Sequence, residues 1–91
     1  MSKKYRADIG PGQYLIINFY DEEDIVRWDW MMLDPKTQSY FYVDGRRVHQ
    51  FENDSREQIL RLVQEDAELC WRKSEHSGKV LRDKLEWIAI D

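Results

Sequence analysis

The sequence predicts an α+β domain: an antiparallel β-meander of about four strands, one main α-helix packed on one face, and a C-terminal strand. Three observations carry that expectation. Polar and apolar residues alternate with period two through most of residues 13–50. From about Asn53 to Lys73 the apolar spacing becomes helical. The helical segment follows the strands instead of interleaving with them, the order in which a helix covers one face of an antiparallel sheet.

Taken in chain order, residues 1–12 read as a short N-terminal arm and residues 13–91 as a single α+β domain. The arm ends at the breaker Gly10-Pro11-Gly12 and carries a net +2, from Lys3, Lys4 and Arg6 against Asp8. Gln13 to Tyr20 is the first expected strand. Leu15, Ile17 and Phe19 make its apolar face; Tyr14, Ile16, Asn18 and Tyr20 make an amphipathic one. The acidic turn Asp21-Glu22-Glu23-Asp24 follows. In the second strand, Ile25 to Leu33, Val26, Trp28, Trp30 and Met32 share a face opposite Arg27 and Asp29, the pattern of a half-buried antiparallel strand. Asp34-Pro35-Lys36-Thr37 closes it as a turn, with proline preset for the corner.

Ser39–Val43 and Arg46–Gln50 flank Asp44-Gly45, which reads as a type I′ hairpin because both turn positions of that type need φ > 0. This register places Val43 opposite Arg46, Tyr42 opposite Arg47, Phe41 opposite Val48 and Tyr40 opposite His49. One face then holds Phe41, Val43 and Val48, the other Tyr40, Tyr42, Arg47 and His49; the pattern leaves open which of them is the core face.

Helix signals begin at Asn53-Asp54-Ser55. Asp54 with Glu57, or Ser55 with Gln58, has capping-box spacing. The helix is expected to reach Lys73 or Ser74, with Ile59, Val63, Ala67 and Cys70 at the centre of its apolar stripe and Leu60, Leu62, Leu69 and Trp71 widening it. Gly78 suits a stop. In the tail, Leu85 to Ile90 reads as a strand, and a helix from Lys79 to Trp87 is the competing reading.

Composition bounds the function. The chain has 91 residues and a net charge of −4 from 14 Lys and Arg against 18 Asp and Glu. That length holds one core and leaves little room for a deep pocket. Four Trp, five Tyr and three Phe argue against disorder, and a single cysteine excludes a disulfide framework. No apolar run reaches the roughly 18 residues a membrane span needs, and no apolar stretch follows the basic start Met1–Arg6 as in a signal peptide. A soluble protein of a reducing compartment, the cytoplasm, is expected.

Catalytic and metal constellations do not assemble from the sequence. Cys70, His76 and His49 lack metal-ligand spacing, and the acidic turn lacks a calcium-loop pattern. No serine sits in a nucleophile elbow and no glycine-rich phosphate loop is present. Neither a cofactor nor a metal nor an enzymatic activity is expected. Cys70 suits a buried small hydrophobe. Asp66 is the misplaced polar residue: it falls within the apolar stripe, where a carboxylate needs a partner such as a Tyr or Trp of the sheet.

Two functional readings follow. Residues 13–34 sum to −5 and residues 52–69 to −4. Acidic surface beside Tyr and Trp suits docking on a basic groove. The main expectation is a non-catalytic protein-binding module that occludes a basic surface of a larger protein: an inhibitor of immunity, antitoxin or phage-antagonist type, or an accessory factor. Its partner-binding residues would be Tyr20, Asp21, Glu22, Glu23 and Asp24, then Tyr40, Tyr42, Arg47 and His49. The alternative is a single-stranded nucleic-acid binder that uses the Tyr40, Tyr42 and Arg47 face, where bases would stack, with the Lys3-Lys4-Arg6 arm on phosphates. No membrane partner is expected. An open sheet edge leaves homodimerisation available to either reading.

Overall fold

The computed structural model describes residues 3–49, 55–73 and 85–90. Five antiparallel strands form one sheet: β1 Lys4–Gly10, β2 Gln13–Tyr20, β3 Ile25–Asp34, β4 Ser39–His49 and β5 Ile88–Ala89, in the spatial order β4-β3-β2-β1-β5. A 3-10 turn, Asp21–Glu23, joins β2 to β3, and the single described helix is α1, Arg56–Lys73. This is the expected α+β meander with a C-terminal strand.

The segment expected as an arm is instead β1, paired with β2 from Lys4↔Asn18 to Gly10↔Gln13. Tyr5, Ala7 and Ile9 turn towards the core, while Lys4, Arg6 and Asp8 turn away from it. Gly10-Pro11-Gly12 is therefore a hairpin connection within the domain. Gly12 adopts φ +68°, and a Cβ there would lie 3.1 Å from Leu33 Cβ, so glycine serves both the left-handed backbone and the close approach. Its carbonyl accepts from the Leu33 N–H at 2.6 Å, which ties this hairpin to the end of β3.

The chain reverses between β3 and β4 at Asp34–Ser39, as the proline turn predicts. The Gln38 N–H donates to the Asp34 carbonyl at 2.9 Å with Gln38 at φ 59°, and Asp34 Oδ1 accepts from the Lys36 N–H at 2.9 Å. The hairpin expected at Asp44-Gly45 does not form, because β4 runs straight through it. A turn there would leave the Ile25–Asp29 half of β3 without a partner. The continuous strand pairs β3 throughout, from Asp34↔Ser39 to Ile25↔His49, at the cost of one bulge. Trp30 faces Asp44 and Met31 faces Tyr42, so Val43 is the extra residue. Gly45 is needed for space, not for a turn: a Cβ there would lie 2.6 Å from the Trp28 carbonyl oxygen and 2.8 Å from Asp29 Oδ1.

Helix α1 lies over β3 and β2. The capping box that forms is Ser55 with Gln58: the Gln58 N–H donates to Ser55 Oγ at 3.2 Å, and the Ser55 N–H donates to Gln58 Oε1 at 3.3 Å. Asp54 and Gly78 lie outside the described residues, as does the whole segment 74–84. The buried row of the helix is Ile59, Val63, Ala67 and Trp71. Trp71 therefore occupies the stripe's centre, where the spacing placed Cys70, and Leu62 and Leu69 are exposed. A strict i, i+4 row suffices because the helix rests on bulky sheet residues: Leu15, Ile17, Phe19, Val26, Trp28 and Trp30, all buried.

The tail adds β5, with Ala89 paired to Tyr5 and Ile88 to Arg6. Leu85 completes the core. The Trp87 indole N–H donates to Glu68 Oε1 at 2.9 Å, which fastens the tail to the helix.

Candidate binding face

With the helix on one face, cross-strand register decides what the other presents. The helix covers the side of Val26, Trp28, Trp30 and Val48. Opposite it, register aligns Lys4, Asn18, Arg27 and Arg47 in one row across four strands. On one side the next row is Arg6, Ile16, Asp29 and Gly45, with Tyr14, Met31 and Tyr42 in the row beyond it; on the other side stand Tyr20, Ile25 and His49. No described element lies over this face.

The aromatic side chains there are partly available. Tyr20, Tyr40 and Tyr42 are 45%, 47% and 51% exposed. Tyr14 meets Tyr40 edge to face at 5.2 Å between ring centroids. Arg6 sits 4.2 Å above the Tyr14 ring and Arg27 lies 5.8 Å from the Tyr42 ring centre, cation–π arrangements that hold guanidinium groups beside the aromatics. Arg6 also pairs with Asp8 at 2.9 Å and Arg27 with Asp29 at 2.7 Å. The Asp29 carboxylate, first by its hydrogen bond and then by its charge, holds the Arg27 pKa above its ordinary value. Counting Lys4, Arg6, Arg27 and Arg47 against Asp8 and Asp29, the strand residues of this face sum to +2 on a chain of −4.

Tyr40, Tyr42, Arg47 and His49 thus share one face, as the sequence suggested, and that face is the uncovered one. The acidic group behaves differently. Asp21 makes an ion pair with Arg56 at the start of α1 and a second with Lys3 at 3.8 Å, so it joins the turn to the helix and the chain start. Glu22, Glu23 and Asp24 are exposed and form no ion pair among the described residues. Asp24 ends the 3-10 turn in the left-handed conformation, φ 53°. The two groups meet at one place: Tyr20, Glu23, Ile25, Arg27 and Arg47 line a shallow depression of about 240 Å3.

Sequence reasoning missed Tyr14 and Arg27 as members of this face, and it brought Lys4 and Arg6 to it only as a phosphate-binding arm, not as residues of a sheet strand. Tyr14 and Arg27 were placed on the correct side of their strands, but only the register across β1–β4 joins them to Arg47. Reading residues 1–12 as an arm hid that Lys4 and Arg6 are fixed in the sheet, opposite Asn18 and Ile16.

Asp66 has the sheet tryptophan as its partner. Its Oδ2 accepts from Trp28 Nε1 at 2.7 Å, and its Oδ1 pairs with Arg46 at 3.3 Å. Asp66 is itself a residue of α1, on the helix side of the sheet, whereas His49 stands on the uncovered side. No group of three metal-ligating side chains occurs among the described residues.

Cys70 is half-buried, and its thiol donates to Asp44 Oδ2 at 3.2 Å. Burial, then the hydrogen bond and negative charge of Asp44, push the thiol up to about 11 from an ordinary value of 9.0. An acid with a raised folded-state pKa ionises first in the unfolded chain. Its stabilising effect is therefore whole below pH ~9 and lost as pH rises from ~9 to ~11. Alkylation of the folded protein by iodoacetamide at pH 8 is expected to be slower than that of the unfolded chain by on the order of tenfold or more. A rate–pH profile with its midpoint near 9 would contradict this.

Comparison with protein-family models, with curated proteins and with solved structures finds no match to the chain.

Proposed function

We propose that the protein is a non-catalytic binding module that takes single-stranded nucleic acid on its uncovered sheet face. The observation that supports this best is the segregation of charge and aromatics: a net-acidic chain gathers a net-positive set of strand residues, with half-exposed tyrosines, on the face its helix leaves open. Bases stack on aromatic rings presented by an open sheet, and arginine and lysine take the phosphates. Tyr40 and Tyr42 are the stacking residues, Arg47 and Lys4 the phosphate residues, and Tyr14 and Tyr20 flank them. The cytoplasm, as a reducing compartment, suits the free thiol of Cys70.

Fluorescence anisotropy with labelled single-stranded oligonucleotides across a salt series tests the proposal. Affinity is expected to fall with salt at a slope of about −0.7 per phosphate contacted. Tyr40→Ala and Tyr42→Ala are each expected to weaken binding by roughly 5- to 100-fold. Absence of binding at ~50 mM salt, or binding indifferent to salt, would overturn it.

A second reading has its own support. Glu22, Glu23 and Asp24 project from one turn without ion-pair partners among the described residues, which suits an inhibitor or accessory factor that docks on a basic protein surface. Charge reversal of these three separates the readings. It should abolish co-purification of a basic partner under the second, and leave oligonucleotide affinity unchanged or raised under the first.

A further inference from the structure

We infer that Arg27 and Arg47, with Tyr20 beside them, form a subsite for a phosphate-type oxyanion on the uncovered face. The inference rests on the nucleic-acid reading in naming a backbone phosphate as the natural occupant; the subsite itself can be tested without it.

The cross-strand register is the first argument. Arg27 and Arg47 are directly opposed on β3 and β4. Like charges in directly opposed positions destabilise a strand pair unless something neutralises them. Arg47 is exposed and forms no ion pair among the described residues. Asp29 balances Arg27, so the charge left beside the pair is that of Arg47, and a bound oxyanion would balance it.

The second argument is how Arg27 is held. Its Nε donates to Asp29 Oδ1 at 2.7 Å, which leaves the donors of its two terminal nitrogens outside that bond. Asp29 can stand there because Gly45, its cross-strand partner, carries no side chain: a Cβ would come within 2.8 Å of the same carboxylate oxygen. Asp29 and Gly45 are thus positioning residues for Arg27. Guanidinium groups presented in this way suit the forked geometry of phosphate oxygens.

The third argument is the depression of about 240 Å3 lined by Tyr20, Glu23, Ile25, Arg27 and Arg47. It gives an oxyanion a recess with a phenol at its side. Glu23 is the opposing charge at this site. It lowers affinity and should favour an anion whose far side carries a sugar or base over one that leaves a free charge against the carboxylate.

The test is titration of the full chain with inorganic phosphate, followed by the arginine Nε–H resonances in NMR. Saturable shifts of Arg27 and Arg47 are expected, with Arg61 and Arg72 on the helix as internal controls. R47Q should weaken the Arg27 response about tenfold, and E23Q should strengthen it. In oligonucleotide binding, R47Q should reduce the salt slope by about 0.7, one phosphate of a single strand. Both substitutions are at exposed positions, and unchanged thermal unfolding verifies that the fold is retained. Phosphate shifts without oligonucleotide binding would sink the proposed function and support the subsite. Oligonucleotide binding with an R47Q slope equal to wild type, and arginine shifts no larger than those of the helix controls, would overturn the subsite and leave the function standing.

Discussion

Replacing Trp71 with alanine is expected to cost about 3–5 kcal/mol of stability, the range for deleting a buried aromatic side chain. Trp71 is 1% exposed and stands in the last turn of α1, in the row begun by Ile59, Val63 and Ala67. Its loss opens a cavity in the core between the helix and the sheet. Since small domains have only about 5–15 kcal/mol in total, the variant should be near the limit of folding. Leu62→Ala and Leu69→Ala supply the contrast. These residues are 63% and 52% exposed, and truncating either should change stability by no more than about 0.5 kcal/mol. Urea denaturation followed by far-UV circular dichroism compares all three without depending on tryptophan fluorescence. Equal losses at Trp71 and Leu69 would mean that the helix rests on its broader stripe and not on the Ile59–Trp71 row.

How far the sequence revealed the fold depends on which interactions set each element. Strands β2 and β3 and the helix were legible because local periodicity and burial agree there: Leu15, Ile17, Phe19, Val26, Trp28 and Trp30 are all inward and all buried. The Ser55–Gln58 capping pair is equally local. Strand β1 also alternates, with Tyr5, Ala7 and Ile9 inward. Small Ala7 weakened its apolar face, and the charged face of Lys4, Arg6 and Asp8 resembled a solvated arm. Asp44-Gly45 failed for a different reason. A two-residue signature states only what a turn would tolerate, while the pairing of β3 along its whole length is a long-range gain that local sequence does not display.

The binding face shows the same division. Tyr40, Tyr42, Arg47 and His49 were assigned to one face through a hairpin that does not exist, and they do share a face. In one continuous strand, Tyr42 and Arg47, five positions apart, would point to opposite sides. The extra residue at Val43 restores them to the same side, as a two-residue turn would have done. Arg27 and Tyr14 could not be joined to this group from local pattern, and Lys4 and Arg6 were joined to it only as an arm, because the neighbourhood of all four is set by register across four strands. The acidic turn was visible as composition. That Asp21 is committed to Arg56 and Lys3, while its three successors are not, is a fact of tertiary structure alone.

Register is also what the second large prediction concerns. Asp66→Ala is expected to cost about 1–3 kcal/mol, because it leaves the Trp28 indole N–H, in a residue 2% exposed, without its acceptor. Asp66→Asn keeps a carbonyl oxygen for that N–H and should cost less than about 1 kcal/mol. Arg46→Ala should change little, since the Arg46 side chain is 67% exposed and an exposed ion pair contributes only about 0–1 kcal/mol. Chemical denaturation of the three variants gives the comparison, and equal costs for alanine and asparagine would remove the Trp28 hydrogen bond as the cause. The consequence reaches the opposite face. Trp28 and Arg46 are cross-strand partners, so Asp66 holds both members of one β3–β4 pair from the helix side. A slip of one residue in that pairing would send Arg47 and His49 to the helix side. A carboxylate on the covered face therefore helps specify which side chains stand on the uncovered one, and Asp66→Ala should widen the resonances of Arg27 and Arg47 across the sheet even where the protein remains folded.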